Sequence, residues 1–290
     1  MRFELTEDQR DFAASLDRLL AGADTAKIAR AWAGGEHEPG LKLWSRLAEQ
    51  GVTMLATEAT PVELCVAFEA LGRYAVPGPW VESAAYLPVA LEREVEGIGT
   101  VSVAPHVPHA LDADVADEVY VGSTPATGIG SMHVSVDRSR RLFEVTGEGE
   151  PDRAAFDLAV LATSAQLLGL GERVLEDSVT YAKQRKQFGR EIGSYQAIKH
   201  ALADVRIALD FARPLVFAAA LGEVSPSAAK VACSDAAYLA SRTGLQVHGA
   251  IGYTQEFDLS IWITKVRALV GAWGTPAWHR GRLRQELGIA

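Results

Sequence analysis

Beyond residue 154, almost the whole chain consists of four alanine-rich stretches with apolar residues at helical spacing, 155–184, 195–221, 226–248 and 257–272. They are separated only by the breaks "RKQFGREIGSY", "GEVSPS" and "GAIGYTQEF". Helices this long, joined by loops this short, bury their apolar faces by running back along one another, so the pattern predicts an antiparallel four-helix bundle. After the last helix, "VGAWGTPAW" reads as a helix exit followed by a Gly-Thr-Pro turn, with the large, non-ionisable Trp273 at the exit. Helix exits are frequent places for catalytic side chains, because a rigid element positions them and a loop lets substrate approach.

Upstream the texture differs. Thr6 with Gln9 forms a capping-box pattern, and Phe12, Leu16, Leu19 and Leu20 recur at helical spacing, which predicts a helix over 6–21. A second helix is expected through "LKLWSRLAEQG", stopped by Gly51, and a third through "PVELCVAFEALGRYAVPGP", stopped near the Pro/Gly cluster at 77–79. Between 97 and 148 come short β-branched runs, "TVSVAPHV", "DEVYVG", "MHVSVD" and "RLFEVTG", broken by Gly, Pro and Asp. The chain is therefore expected to be mainly α with a small β middle domain: helical domain 1–92, β segment 93–150, helical domain 151–290.

A formal net charge of −9 argues against general nucleic-acid or anionic-membrane partners, since both require a positive field. The two cysteines, Cys65 and Cys233, lie in apolar helix-like surroundings with no CxxC or Cys/His cluster, so they read as buried thiols and no metal site is expected. The start, "MRFELTEDQRDF", carries charge from the outset, and no run reaches ~20 uninterrupted apolar residues. A cytoplasmic protein is the expectation.

Two stretches carry candidate chemistry. In "YAKQRKQFGREIGSYQAIKHALADV", Tyr181–Val205, Arg185 offers a guanidinium for phosphate, Gln187 and Gln196 offer amides for a nucleobase or ribose, and Phe188 offers a ring for stacking. The same residues also read as a helix corner pinned by Phe188 with Arg185 solvated. In "QVHGAIGYTQEF", Gln246–Phe257, Gly249 and Gly252 permit positive φ and close backbone approach to a phosphate, or form an ordinary helix cap and turn. His248 reads as a cap or packing residue. His106, His109 and His133 read as surface groups, and "DRSRR", 137–141, as a solvated hairpin turn.

Taken together and in this order, "YAKQRKQFG", "YQAIKHALADV" and "QVHGAIGYTQEF" resemble the acyl-CoA dehydrogenase family, over nearly the whole chain. The resemblance implies a helical N-terminal domain, a β-domain (here reduced) and a C-terminal four-helix domain that packs on a second subunit. It gives Arg185, Gln187, Phe188, Gln196, Gln246 and Gly249 a role in holding the FAD of that partner, and gives Thr275 a flavin contact. An Asp-x-x-Arg near 137–141 commonly supports domain packing in this family.

The family reaction removes an acyl-CoA α-proton with a glutamate while the β-hydrogen leaves as hydride to the flavin. Reading without a gap, Trp273 falls on the usual glutamate position, and indole has no basic lone pair. The alternative glutamate position of the family, twenty-six residues before Arg185, is Ala159, followed by Val160 where an arginine is usual. Asp157 lies two residues away, a rotation of about 200° around a helix. The glutamine that the resemblance implies two residues after Thr275 is here Ala277. The Trp-x-Thr element that stacks on the flavin is missing from the middle domain, because no tryptophan lies between Trp80 and Trp262, and "WIT" at 262–264 reads as core.

The implied function is a non-catalytic subunit of a heteromeric, α2β2, acyl-CoA dehydrogenase that completes the FAD site of a catalytic partner. Heteromers of this type are implied to act on bulky sterol side-chain acyl-CoAs, with an electron-transfer flavoprotein as acceptor. Two other readings stay open: a self-sufficient homomeric dehydrogenase using a base such as Asp157, and a flavin-free helical interaction module.

Overall fold

The computed structural model describes residues 4–289. Its first layer is helical: α1 (Glu7–Ala21), α2 (Thr25–Ala33), α3 (Glu38–Glu49), α4 (Leu55–Glu58) and α5 (Pro61–Arg73), followed by a π-helical turn at Glu82–Tyr86 that runs into α6 (Leu87–Ala90). The capping box forms as expected, with the Thr6 hydroxyl accepting the Gln9 N–H at 3.2 Å and Gln9 Oε1 accepting the Thr6 N–H at 2.9 Å. Helix α2 is an addition to the sequence reading. Its nine residues are too few for a clear period, yet Asp24 caps it and it buries Trp32.

The strands are β1 (Gly99–Ser102), β2 (Ala110–Leu111), β3 (Glu118–Val121), β4 (Thr124–Pro125), β5 (Gly128–Val134) and β6 (Arg141–Thr146). They form two small sheets, β1-β3-β4 with β1 parallel to β3, and an antiparallel β2-β6-β5. The expectation of a solvated turn at 137–141 is corrected here, since Asp137, Ser139 and Arg141 are buried. Arg141 Nε lies 3.2 Å from Asp112 Oδ1, and its guanidinium also binds Asp114. Lys265 Nζ reaches in from the bundle to 3.0 Å from Asp137 Oδ2 and 3.2 Å from Ser139 Oγ. A run of charges looks solvated only until its partners, remote in sequence, are known.

The bundle consists of α7 (Arg153–Gln184), the hairpin β7 (Lys186–Gln187) and β8 (Arg190–Glu191), α8 (Gln196–Ala220), α9 (Pro226–His248) and α10 (Leu259–Gly271), followed by α11 (Pro276–Glu286). Contacts fix the directions. Gly171 meets Ala237, and Gly244 meets Val174 and Ser178, so α7 runs with α9; Gly171 also meets Leu209, and Gly193, just before α8, meets Ala182 near the end of α7, so α8 runs against α7. Helix α7 is long and apolar enough to cross a membrane, but 83% of its most apolar window is buried inside the protein, as a central core helix requires.

Two glycines bring the helical layers together. A Cβ on Gly72 would lie 2.1 Å from the Gln166 carbonyl oxygen, and one on Gly169 would lie 1.9 Å from that of Glu69, so α5 and α7 cross backbone to backbone. The main core therefore runs without a break from the N-terminal helices through β1 into the bundle, and takes in both Cys65 and Cys233.

Candidate functional site

One end of the bundle gathers six of the seven residues expected to hold a cofactor. The end of α7, the β7–β8 hairpin, the start of α8 and the end of α9 meet there, tied by the Tyr181 and His248 rings stacked with centroids 4.2 Å apart. The hairpin backbone is fixed by the Arg185 N–H donating to Tyr181 O and the Ile192 N–H donating to Arg185 O, each at 2.8 Å. Arg185, Gln187, Gln196 and Gln246 are exposed, and the Phe188 ring is 92% exposed with its backbone at φ +52°. A ring that open does not pin a corner, so the purely structural reading of Phe188 is corrected. Gly249 sits at φ +62° with nothing within 4 Å of where a Cβ would be, leaving its backbone approachable. His248 is buried, its Nδ1 is 2.8 Å from Gly244 O, and burial lowers its pKa; it packs and caps as expected. One guanidinium, three amides and an open aromatic ring can hold an anion and a flat heterocycle, but on one side only.

The seventh residue, Thr275, lies at the other end. Its Oγ1 accepts the Trp278 N–H at 3.2 Å and caps α11, a helix beyond the Gly-Thr-Pro turn that the sequence reading did not include. His279 of α11 meets Ser227 at the start of α9, whereas Gly249 follows the end of that 23-residue helix, about 34 Å away at 1.5 Å per residue. Beside Thr275, Trp273 is 1% exposed at φ +56°, with its ring centroid 5.2 Å from Tyr86 and 5.8 Å from Phe156. His279 is fully buried and bridges this segment, with Nε2 2.9 Å from Trp273 O and Nδ1 2.9 Å from Ser227 Oγ. Burial pushes its pKa down to about 4, against the pull of the Trp273 carbonyl. Lys230, also buried, donates to Leu269 O and Val270 O, and burial pushes its pKa down to about 7.

A model of the acyl-CoA dehydrogenase C-terminal domain matches residues 152–288. The chain is 30% identical to the acyl-CoA dehydrogenase IpdE2 of Mycobacterium tuberculosis over 311 aligned positions, covering 96% of each protein. The chain belongs to the acyl-CoA dehydrogenase family. Among solved folds it superposes on a chain of the ChsE4–ChsE5 complex of Mycobacterium tuberculosis with a TM-score of 0.76 at 20% identity, over 100% of this chain and 100% of that one. It also superposes on a structure described as a Tcur3481–Tcur3483 steroid ACAD variant, with a TM-score of 0.80 at 19% identity, over 97% of this chain and 98% of that one.

For a member of the acyl-CoA dehydrogenase family, the surroundings of the two expected glutamate positions are apolar. Trp273 is sealed between aromatic rings, and Ala159 and Val160 are fully buried in α7. Asp157 is not a bare helix-start residue. Both of its oxygens are held by Arg282 of α11, with Oδ2 2.7 Å from Nη2. Trp262 is core, as read from the sequence, with its indole N–H on Arg73 O at 2.9 Å. Sequence reasoning missed Lys230, His279 and Arg282. Only the placement of a lysine inside an apolar helix signalled any of them.

Proposed function

We propose that this chain is the non-catalytic subunit of a heteromeric FAD-dependent acyl-CoA dehydrogenase, and that it completes the FAD site of a separately encoded catalytic partner. The observation that carries this reading is the contrast between the two ends of the bundle. At one end, Arg185, Gln187, Phe188, Gln196, Gln246 and Gly249 stand open around a hairpin, as a surface that a second chain would close. At the other, Trp273 fills the expected base position with an indole packed on Tyr86 and Phe156.

The residues present fit one half of an FAD site. Arg185 would hold the pyrophosphate, Gln187, Gln196 and Gln246 would hydrogen-bond the nucleotide, Phe188 would stack, and the Gly249 backbone would approach the phosphates closely. Bound there, FAD would supply the hydride-accepting chemistry of the dehydrogenation. This chain's residues supply binding and orientation, and the α-proton is removed by a carboxylate of the partner. The two-component structures resembled by the fold support this assembly, and the steroid description of one of them supports a bulky, sterol-type acyl-CoA. An α2β2 assembly, an electron-transfer flavoprotein as acceptor and a cytoplasmic location belong to the same proposal.

The test is flavin content and acyl-CoA oxidation by the chain alone and after co-expression with a neighbouring dehydrogenase-like chain. Little FAD and no turnover alone, with both restored in the complex, are the expected results. Stoichiometric FAD and turnover in a homo-oligomer would overturn the proposal.

A further inference from the structure

A cavity of about 570 Å³ opens between the loop after β1, the start of α7 and the outer face of α11. Three rings line it: His106 lies 4.2 Å from Trp278 and 5.4 Å from Phe156, centroid to centroid, and Phe156 lies 5.8 Å from Trp278. Its size is that of small-molecule pockets, and so is its plan, apolar walls with a few polar groups. Burial lowers the His106 pKa, so that wall is uncharged at neutral pH.

The polar groups are unequally available. Asp152 is occupied as the cap of α7, accepting the Ala155 N–H at 2.8 Å. Arg282 is neutralised by Asp157 and by Glu286, whose Oε1 lies 3.0 Å from Nε. Arg153, exposed at the rim, makes no ion pair among the described residues. The start of α7 is already capped by the Asp152 carboxylate, so the cavity offers one available guanidinium, which suits a monoanion such as a carboxylate. The cavity is also separate from the open hairpin: Arg153 and Arg185 lie at opposite ends of α7, about 48 Å apart at 1.5 Å per residue.

We infer that this cavity binds a small monocarboxylate carrying a flat ring system, with the ring against the wall formed by His106, Phe156 and Trp278 and the carboxylate on Arg153. The ring wall favours flat bodies, because offset and edge-to-face contacts fix their orientation, and the guanidinium favours a planar carboxylate. The site is independent of the partner's FAD.

The full-length chain is titrated with 2-naphthoate, followed by calorimetry and by quenching of tryptophan fluorescence. One saturable site is expected. Arg153→Gln lowers affinity about tenfold, and the neutral 2-naphthamide binds about tenfold more weakly to the natural chain, with no further loss in Arg153→Gln. Gly281 lines the cavity, and a Cβ there would meet nothing within 4 Å, so Gly281→Leu starts into open space, narrows the cavity and is expected to weaken binding at least tenfold while thermal stability is kept. Absence of a saturable site, equal affinity for acid and amide, or unaltered binding in Gly281→Leu overturns the inference. Competitive displacement of 2-naphthoate by FAD from the lone chain also overturns it, because the cavity would then take a flavin.

Discussion

Lys230 Nζ lies 2.8 Å from the carbonyl oxygen of Leu269, and 3.1 Å from that of Val270, inside the bundle. A fully buried lysine thus closes the end of α10, where the last carbonyls of a helix have no partner of their own. The chain turns three residues later at Trp273, whose carbonyl is held by His279. Two buried titratable groups therefore set the path of the segment that carries the indole.

The first prediction concerns Lys230→Met. Burial pushes the folded-state pKa down to about 7, below the ordinary 10.5, so between those values the unfolded chain binds a proton that the folded chain does not. Stability contributed by this group rises with pH across that window, by at most about 1.4 kcal/mol per pH unit. The variant loses that slope, and leaving the buried Leu269 carbonyl and the part-buried Val270 carbonyl without a donor costs about 1–3 kcal/mol at the alkaline end. Urea denaturation of both proteins from pH 7 to 9 checks this, and identical slopes would refute it.

His279 works at the acidic side. With a folded-state pKa of about 4 against the ordinary 6.5, its neutral form is favoured by folding, so its contribution is full above pH 6.5 and falls away as the pH drops toward 4. His279→Gln is expected to flatten the acid limb relative to the natural chain, by up to about 1.4 kcal/mol per pH unit. Thermal melts at pH 4.5, 5.5 and 6.5 read the difference.

Trp273→Glu is expected to give no acyl-CoA dehydrogenase activity in the lone chain. Removing an indole packed on Tyr86 and Phe156 costs about 3–5 kcal/mol, and the carboxylate that replaces it is buried among rings. A large drop in Tm without turnover is the expected pair of results. Substantial acyl-CoA oxidation by the variant would show that the pocket lacks only the base.

In the reconstituted complex, Arg185→Ala is expected to weaken FAD binding roughly ten- to hundredfold, the loss of a charge-assisted contact worth about 1.5–3 kcal/mol. Arg185→Lys recovers part of it, since an ammonium lacks the planar fork. Titration of FAD into the apo-complex, with subunit association measured separately, decides. Unchanged affinity in an intact complex would remove Arg185 from the site.

Asp157→Asn tests the rival base. Because Arg282 holds both oxygens of Asp157, the substitution should lower Tm and leave turnover of the complex unchanged. Loss of turnover in a well-folded complex would restore Asp157 as a candidate base.

What the sequence determined by itself is whatever is encoded within a turn or two of helix. The capping box at Thr6, the extents of α7 to α10 and the grouping of Arg185 with Gln187 and Phe188 all follow from local spacing. Helix α11 was not legible, because its residues are mostly polar and its start depends on the Thr275 cap and its anchorage on Arg282 reaching Asp157, 125 positions away. Nor was the burial of Asp137, Ser139 and Arg141 within "DRSRR", which depends on Asp112 and Lys265. Tertiary structure alone decided that Phe188 faces outward, that Thr275 lies at the opposite end of the bundle from Gly249, and that Trp273 is sealed by Tyr86 and Phe156. The physical reason is that periodicity is local, whereas the cost of burying a charge, or the gain from burying a ring, depends on partners that only folding brings together.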